Sequence, residues 1–174
     1  MMTSKRFQTL YKLSSQSAFW LILLVRFIVE DKVMAILTSL GLLASIIATV
    51  ILVINVTKIK RSKTAAAVTC YIDSYNVGVN STLEALFIPL ALIVLLKGFA
   101  AIAMLIFFEA IFLKADYSDN NINISFLLIG ITMFQAKINE KEVVCIGHTK
   151  DIESLIRENV DAIRLTDDVL VIKD

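Results

Sequence analysis

The stretch Val33–Val56, VMAILTSLGLLASIIATVILVINV, contains 24 residues and no ionisable side chain. A helix of that length extends about 36 Å, which exceeds the roughly 30 Å of a bilayer hydrocarbon core. The basic segment TKIKRSK follows at residues 57–63. Lys and Arg beside a span are retained on the cytoplasmic side. The stretch therefore predicts a transmembrane helix that ends in the cytoplasm.

The composition supports an α-helical integral membrane protein. Hydrophobic residues make up 57% of the 174-residue chain, and one Pro and five Gly leave little material for turns. Such a composition favours long helices. The formal net charge of +1 gives no basic face for direct nucleic acid binding.

Three further apolar segments extend the prediction to four transmembrane helices, at about residues 11–29, 83–114 and 122–134. Lys97-Gly98 interrupts the third segment. A hairpin turning there would have arms of about 22 Å, too short to cross, so we favour one long tilted helix. The fourth segment is short for a span, and the alternation over residues 121–126 also fits a strand.

The basic residues predict the orientation of these four segments. They cluster before the first segment, after the second and after the fourth. The positive-inside rule then places both termini in the cytoplasm and leaves only residues 30–32 and about 115–121 outside. We expect a multi-pass protein of the bacterial inner membrane, in contact with membrane lipid.

Residues 1–136 are predicted to form the transmembrane region, with a cytoplasmic linker at 57–82 that begins as a short helix. Residues 137–174 are predicted to form a β-α-β tail with strands over 142–147 and 168–173 and a helix over 150–164. A unit of this size needs a partner to cover its sheet edges. The predicted docking residues are Ile152, Leu155, Ile156 and Val160 of the tail helix, with Lys58, Lys60, Arg61 and Lys63 of the linker.

Small residues on the second segment predict self-association. Gly41, Ser45 and Ala48 permit close helix approach, so we expect a homo-oligomer with these residues at the interface. Among the ionisable residues of the apolar segments, three are candidates for a role in the membrane: Arg26, Lys97 and Glu109. We consider Lys97 and Glu109 as pore-lining or inter-subunit groups, against an interfacial position, and expect Arg26 to reach the membrane surface.

No catalytic or cofactor site emerges from the sequence. His148 is the single histidine, and no nucleophile and base can be grouped around it. Cys145 and His148 are too few for a zinc site, so no metal is predicted. The turn Gly147-His148-Thr149 before the predicted helix offers a weak anion site, although turn geometry alone explains its glycine. We therefore expect a protein that is not an enzyme.

In architecture, the chain resembles KwaA, the membrane subunit family of the Kiwa antiphage defence system. The basic loop Lys58–Lys63 and the tail Val143–Lys173 are compatible with that family, although no diagnostic motif supports it. The resemblance implies a homo-oligomeric membrane sensor that holds a soluble, DNA-binding partner, KwaB, at the inner membrane.

Three functions follow from these expectations. The favoured one is a non-enzymatic membrane sensor and anchor that recruits a soluble cytoplasmic partner. The resemblance alone implies that it acts in antiphage defence. The alternative is a ligand-gated ion channel or pore, in which Lys97, Glu109 and the Gly147 turn would be the functional residues. An accessory subunit of a larger transporter or enzyme complex is the third.

Overall fold

The computed structural model describes residues 4–61, 67–72, 75–76, 88–114, 123–138, 141–148, 158–166 and 169–173. The helices are α1 (Ser4–Ser15), α2 (Ser17–Phe27), α3 (Lys32–Lys60), α4 (residues 88–95), α5 (Phe99–Lys114) and α6 (Ile124–Leu128). The strands are β1 (Ala67–Tyr71), β2 (Tyr75–Asn76), β3 (Ile131–Ile138), β4 (Lys141–His148), β5 (Asn159–Arg164) and β6 (Val169–Ile172). The described chain therefore combines a helical part with a sheet.

The predicted four-span helical fold is wrong. Among the described residues, α3 is the one helix that is long and apolar enough to cross a membrane. The other helices are shorter, and a mixed six-stranded sheet takes up much of the C-terminal half. The error has a physical cause, because strands that are buried on both faces read as apolar runs much as spans do.

The helices α1 and α2 run back along α3. Their contacts with α3 run in the reverse order of the sequence: Tyr11 of α1 shares a cluster with Leu52, and Phe27 of α2 shares one with Met34. The two helices are separated at Gln16. The hydroxyls of two serines before this break donate hydrogen bonds to main-chain carbonyls of the preceding turn, Ser14 to Tyr11 and Ser15 to Lys12. Bonds of this kind often bend helices.

A hairpin of α4 and α5 replaces the predicted long helix over residues 83–114. The chain turns at Lys97-Gly98, where Gly98 adopts a φ of +55°, and its carbonyl accepts the first α5 amides. Ile93 of α4 and Leu105 of α5 join the cluster around Phe27 and Met34. The described residues of α4 and α5 are thus stabilised by packing on other helices.

The sheet curves into a small, partly open barrel, because residues of β1, β3, β4, β5 and β6 share one buried cluster. Its strand order is β1-β5-β6-β4-β3-β2, yet its two edge strands are neighbours in the chain. Tyr71 of β1 and Tyr75 of β2 are four residues apart, so their Cα atoms can be no more than about 15 Å apart. The edges must therefore approach each other.

The strand connections identify the barrel type. With β1 and β2 taken together as its first strand, the barrel has five strands, and the third and fifth of them, β4 and β6, are its one parallel pair in the described chain. This is the connectivity of the OB fold, a five-stranded Greek-key barrel. The helices α4, α5 and α6 are inserted between its first and second strands.

Alternating residues of β4 and β6 fill two different cores. In β4, Cys145 belongs to the barrel interior, whereas Ile146 belongs to a cluster outside it. In β6, Leu170 points inward with the first cluster and Val171 packs with the second. That second cluster also includes residues of α1, α3 and α6, namely Phe7, Tyr11, Leu52, Val56 and Phe126. Period-two burial thus joins the barrel to the helices.

Several predictions for residues 57–174 differ from the structure. The strands β4 and β6 occupy the stretches predicted as strands over 142–147 and 168–173, but Val160 lies on β5 rather than on a helix. The predicted linker helix gives way to β1, and the predicted fourth span is divided between α6 and β3. Ile152, Leu155, Ile156 and Lys63 lie outside the described residues. The expected domain boundary at 136/137 falls inside β3.

Candidate functional site

A cavity of about 350 Å³ lies where the C-terminal end of α3 meets the barrel. We call it the basic cleft because four basic side chains line it: Lys60, Arg61, His148 and Lys173. Its remaining lining residues are Val56, Thr57, Ile131, Ile146 and Gly147. The cleft therefore combines a cationic lining with apolar walls.

Three elements bring the basic residues together. Lys60 and Arg61 occupy the last turn and C-cap of α3. Strands β4 and β6 run parallel, so their C-terminal ends lie at the same edge of the sheet. His148 ends β4, and Lys173 directly follows β6. The topology of the barrel thus places two distant sequence positions beside the end of α3.

The turn before β3 fixes the orientation of His148. Its Nδ1 lies 3.2 Å from the carbonyl oxygen of Gly130. A carbonyl can only accept, so Nδ1 carries the hydrogen and donates it. Gly130 adopts a φ of +75°, a backbone conformation that residues other than glycine rarely adopt. The backbone at Gly130 therefore holds the imidazole in place.

The chemistry available in the cleft is anion binding. Lys60, Arg61 and Lys173 are cationic side chains, and no carboxylate is among the described residues that line the cavity. No group of three or more His, Cys, Asp or Glu with metal-binding geometry occurs in the described parts of the chain.

Two separate sequence predictions meet in this cleft. Lys60 and Arg61 were expected as docking residues, and the Gly147-His148-Thr149 turn was considered as a weak anion site beside plain turn geometry. The structure brings both into one cavity, although it describes no helix directly after His148. Lys58 is exposed and is absent from the described lining. Sequence reasoning missed Lys173, whose available signal was its position at the end of the strand predicted over 168–173.

A buried polar seam lies where α1, α2, α5 and α6 meet. Gln16 donates through Nε2 to Oε1 of Glu109 over 2.9 Å. Asn123, the N-cap of α6, donates to the hydroxyl of Ser14, and the Ser125 hydroxyl donates to the Ser14 carbonyl over 3.0 Å. Glu109 thus bonds within the chain rather than standing alone on an exposed face. Among the described residues the Gln16 Oε1 atom has no hydrogen-bond partner.

The other predicted membrane residues lie near the opposite end of the helices. Arg26 forms an ion pair with Glu30 one turn away, and Lys97 is exposed at the α4–α5 turn. Neither Arg26 nor Lys97 lies beside Glu109, which accepts a hydrogen bond from Gln16. The structure therefore does not bring Lys97 and Glu109 together as one site.

The predicted oligomer residues are used inside the chain. A Cβ atom at Gly41 would lie 2.4 Å from the Trp20 ring, while Ser45 and Ala48 are buried in the same face of α3. The close approach expected from small residues is therefore present, but its partner is α2 of the same molecule.

Two cysteines lie in the barrel core. Cys70 and Cys145 are free and buried. Burial, with a smaller effect of Cys70, raises the pKa of the Cys145 thiol to about 12. Burial also raises the pKa of Cys70, against an opposing effect of Arg164. Neither thiol is suited to act as a nucleophile near neutral pH.

A scan against protein-family models, a search of curated proteins and a search of solved structures each found no match for this chain.

Proposed function

We propose that this protein is a non-enzymatic membrane anchor that holds a small barrel at the membrane surface for a soluble partner. The observation that supports it is the distribution of exposed apolar side chains. Of the large hydrophobic residues exposed in the described chain, only Val68 and Tyr71 lie on strands. The others lie on the helices and their turns, including Val29 at 90%, Leu95 at 79% and Phe99 at 83% exposure. Patches of this extent mark a lipid or protein contact.

The helix α3 favours lipid as that contact. The core helix of a water-soluble protein is mostly buried, whereas only 22% of the most apolar 18-residue stretch of α3 is buried. Its charge-free stretch from Val33 to Val56 extends about 36 Å, enough to cross a bilayer. A protein partner would cover one stripe, but exposed apolar residues occur on α2, α3, α4, α5 and α6.

The charges favour a cytoplasmic barrel. Lys58, Lys60 and Arg61 lie at the barrel end of α3, and α1, which carries Lys5 and Arg6, packs against the same end. At the other end, basic and acidic residues are mixed near Glu30. The positive-inside rule therefore assigns the barrel to the cytoplasm.

The exposed face of β1 and β5 is the proposed partner surface. Thr69 donates from its hydroxyl to Asp161 over 3.0 Å across the two strands. Tyr71 and Asn159 are exposed beside them. Tyrosine is enriched where proteins bind each other. Val160, by contrast, is buried in the barrel core, so we move the docking surface from the predicted tail stripe to this face.

Substitution of a lipid-facing residue tests the anchor. Ile47 is 50% exposed in the middle of α3. A lysine at the centre of a membrane helix costs about 2.5–3.5 kcal/mol on insertion scales, so Ile47→Lys should lower the fraction that resists a carbonate wash of membranes. The matched control is Val68→Lys on the barrel, which should leave it unchanged. A parent protein that is monodisperse in buffer without detergent would refute the anchor.

Photo-crosslinking tests the partner surface. A photoreactive amino acid at Tyr71 should capture a soluble protein in cells, and one at Ile106, which is 64% exposed on α5, should not. The same protein should co-purify with the full chain in mild detergent and be lost from Asp161→Lys, which changes an exposed residue of this face. Co-purification that is insensitive to Asp161→Lys would place the partner elsewhere. Identification of a KwaB-like protein would support the predicted Kiwa role, which stays a prediction.

A further inference from the structure

We propose that the basic cleft binds the phosphate group of a membrane phospholipid. Four basic side chains from α3, β4 and the end of β6 line one cavity. A cationic lining attracts an anion. Lys60 and Arg61 have a second explanation, because cations stabilise the C-terminal end of a helix. Lys173 belongs to the barrel and has no such role, so its convergence with Arg61 on the same cavity points to an anionic ligand.

The lining fits a phosphate ester in particular. Arginine and lysine donors match phosphate oxygens, and Arg61 provides a planar fork for them. The walls of Val56, Ile131 and Ile146 suit the carbon atoms to which a phosphate ester is joined. A volume of about 350 Å³ is at the lower end of small-molecule sites, so it accepts a headgroup.

The position of the cleft favours lipid as the source of that phosphate. Ile54 is the last large apolar side chain exposed on α3, and Lys60 follows about 9 Å further along the helix axis. On the other side of the cleft, Leu128 is 82% exposed two residues before Gly130, which holds His148. The cleft therefore lies where the lipid-facing surface ends, which is the level of headgroups. This choice of source rests on the proposed membrane anchor.

A titration of the full-length protein in neutral detergent tests the site. Dioctanoyl phosphatidic acid, dioctanoyl phosphatidylcholine and inorganic pyrophosphate are added separately, and binding is measured by calorimetry. Phosphatidic acid should bind, and Arg61→Gln should weaken it about tenfold, the loss expected for a charge-assisted hydrogen bond. Lys173→Gln should act in the same way. Lys58→Gln removes the same charge outside the cleft and should change the affinity less than about twofold.

The outcomes separate the site from its source. Equal losses in Lys58→Gln and Arg61→Gln would indicate general surface charge and overturn the site. Binding of pyrophosphate alone would keep a phosphate site but overturn the lipid source, and absence of binding in every arm would overturn both. Arg61 and Lys173 are exposed, so these variants should fold, and unchanged thermal unfolding checks this. Resistance of the membrane-bound protein to a carbonate wash is measured in parallel, so the phosphate site and the membrane anchor can be refuted independently.

Discussion

Replacement of Gly41 by alanine tests whether the small residues of α3 serve packing within the chain. A Cβ atom there would lie 2.4, 2.5 and 2.6 Å from three Trp20 ring atoms, while ordinary contact begins at 3.4 Å. The ring would have to move by about 1 Å to restore that contact. Trp20 is itself buried and packs edge-on against Phe19, with ring centroids 5.4 Å apart. The indole therefore has little room to retreat.

The expected cost of Gly41→Ala follows from two opposing terms. Overpacking of a well-packed core costs about 1–3 kcal/mol, and contact with three atoms of a rigid ring places this case near the upper value. Alanine recovers about 1 kcal/mol through its higher helix propensity. The net loss is about 2 kcal/mol, equivalent to a decrease of roughly 4–8 °C in melting temperature for a chain of this size.

Thermal unfolding of the detergent-purified variants, followed by circular dichroism, measures this loss. The control is Ala44→Leu, which adds bulk at an exposed position of the same helix and should be nearly neutral. In a Trp20→Leu background, Gly41→Ala should no longer destabilise, because the clash is gone. An unchanged melting temperature in Gly41→Ala, or an equal loss in both backgrounds, would refute the intramolecular packing. A changed particle mass without that loss would instead favour the predicted oligomer interface.

Three further predictions concern a cap, a turn and a thiol. Asp31→Ala should cost about 1 kcal/mol, measured by thermal unfolding, because its carboxylate accepts two amides of the first turn of α3; Glu30→Ala should cost less. Gly130→Ala should cost about 1–2 kcal/mol in the same assay, since its φ of +75° strains other residues although no atom lies within 4 Å. Cys145, with a pKa raised to about 12 by burial, should react slowly with a maleimide at pH 8 and rapidly after denaturation; rapid native labelling would contradict its burial.

The sequence was informative where one short segment carries the whole signal. The helix α3 follows from an uninterrupted apolar run with charges at both ends, and β4 and β6 follow from short apolar runs bounded by polar residues. The turn at Lys97-Gly98 was rejected because its arms are too short to cross a bilayer. That reasoning assumed that every apolar helix crosses, whereas α4 and α5 pack on α2 and α3.

The barrel and the cleft depended on contacts between distant segments. Tyr71 pairs with Asn159 across the sheet, and no local periodicity records a pairing of that separation. In β3, Met133 and Phe134 are packed in different cores, so the strand is apolar on both faces and resembles part of a span. Lys173 could be assigned to the cleft only after β6 was placed beside β4.

The insertion of three helices into the barrel has a consequence for the order of events during synthesis. The strand β1 is made early, yet its neighbour β5 follows only after β2, the helices α4–α6 and strands β3 and β4. Pairing at such separation pays a large loop-closure entropy and is slow. Until β5 arrives, the edge of β1 remains open to pairing with other chains. Closure of the barrel is therefore the late step of folding, and chains that stall before residue 159 are the species most prone to aggregate.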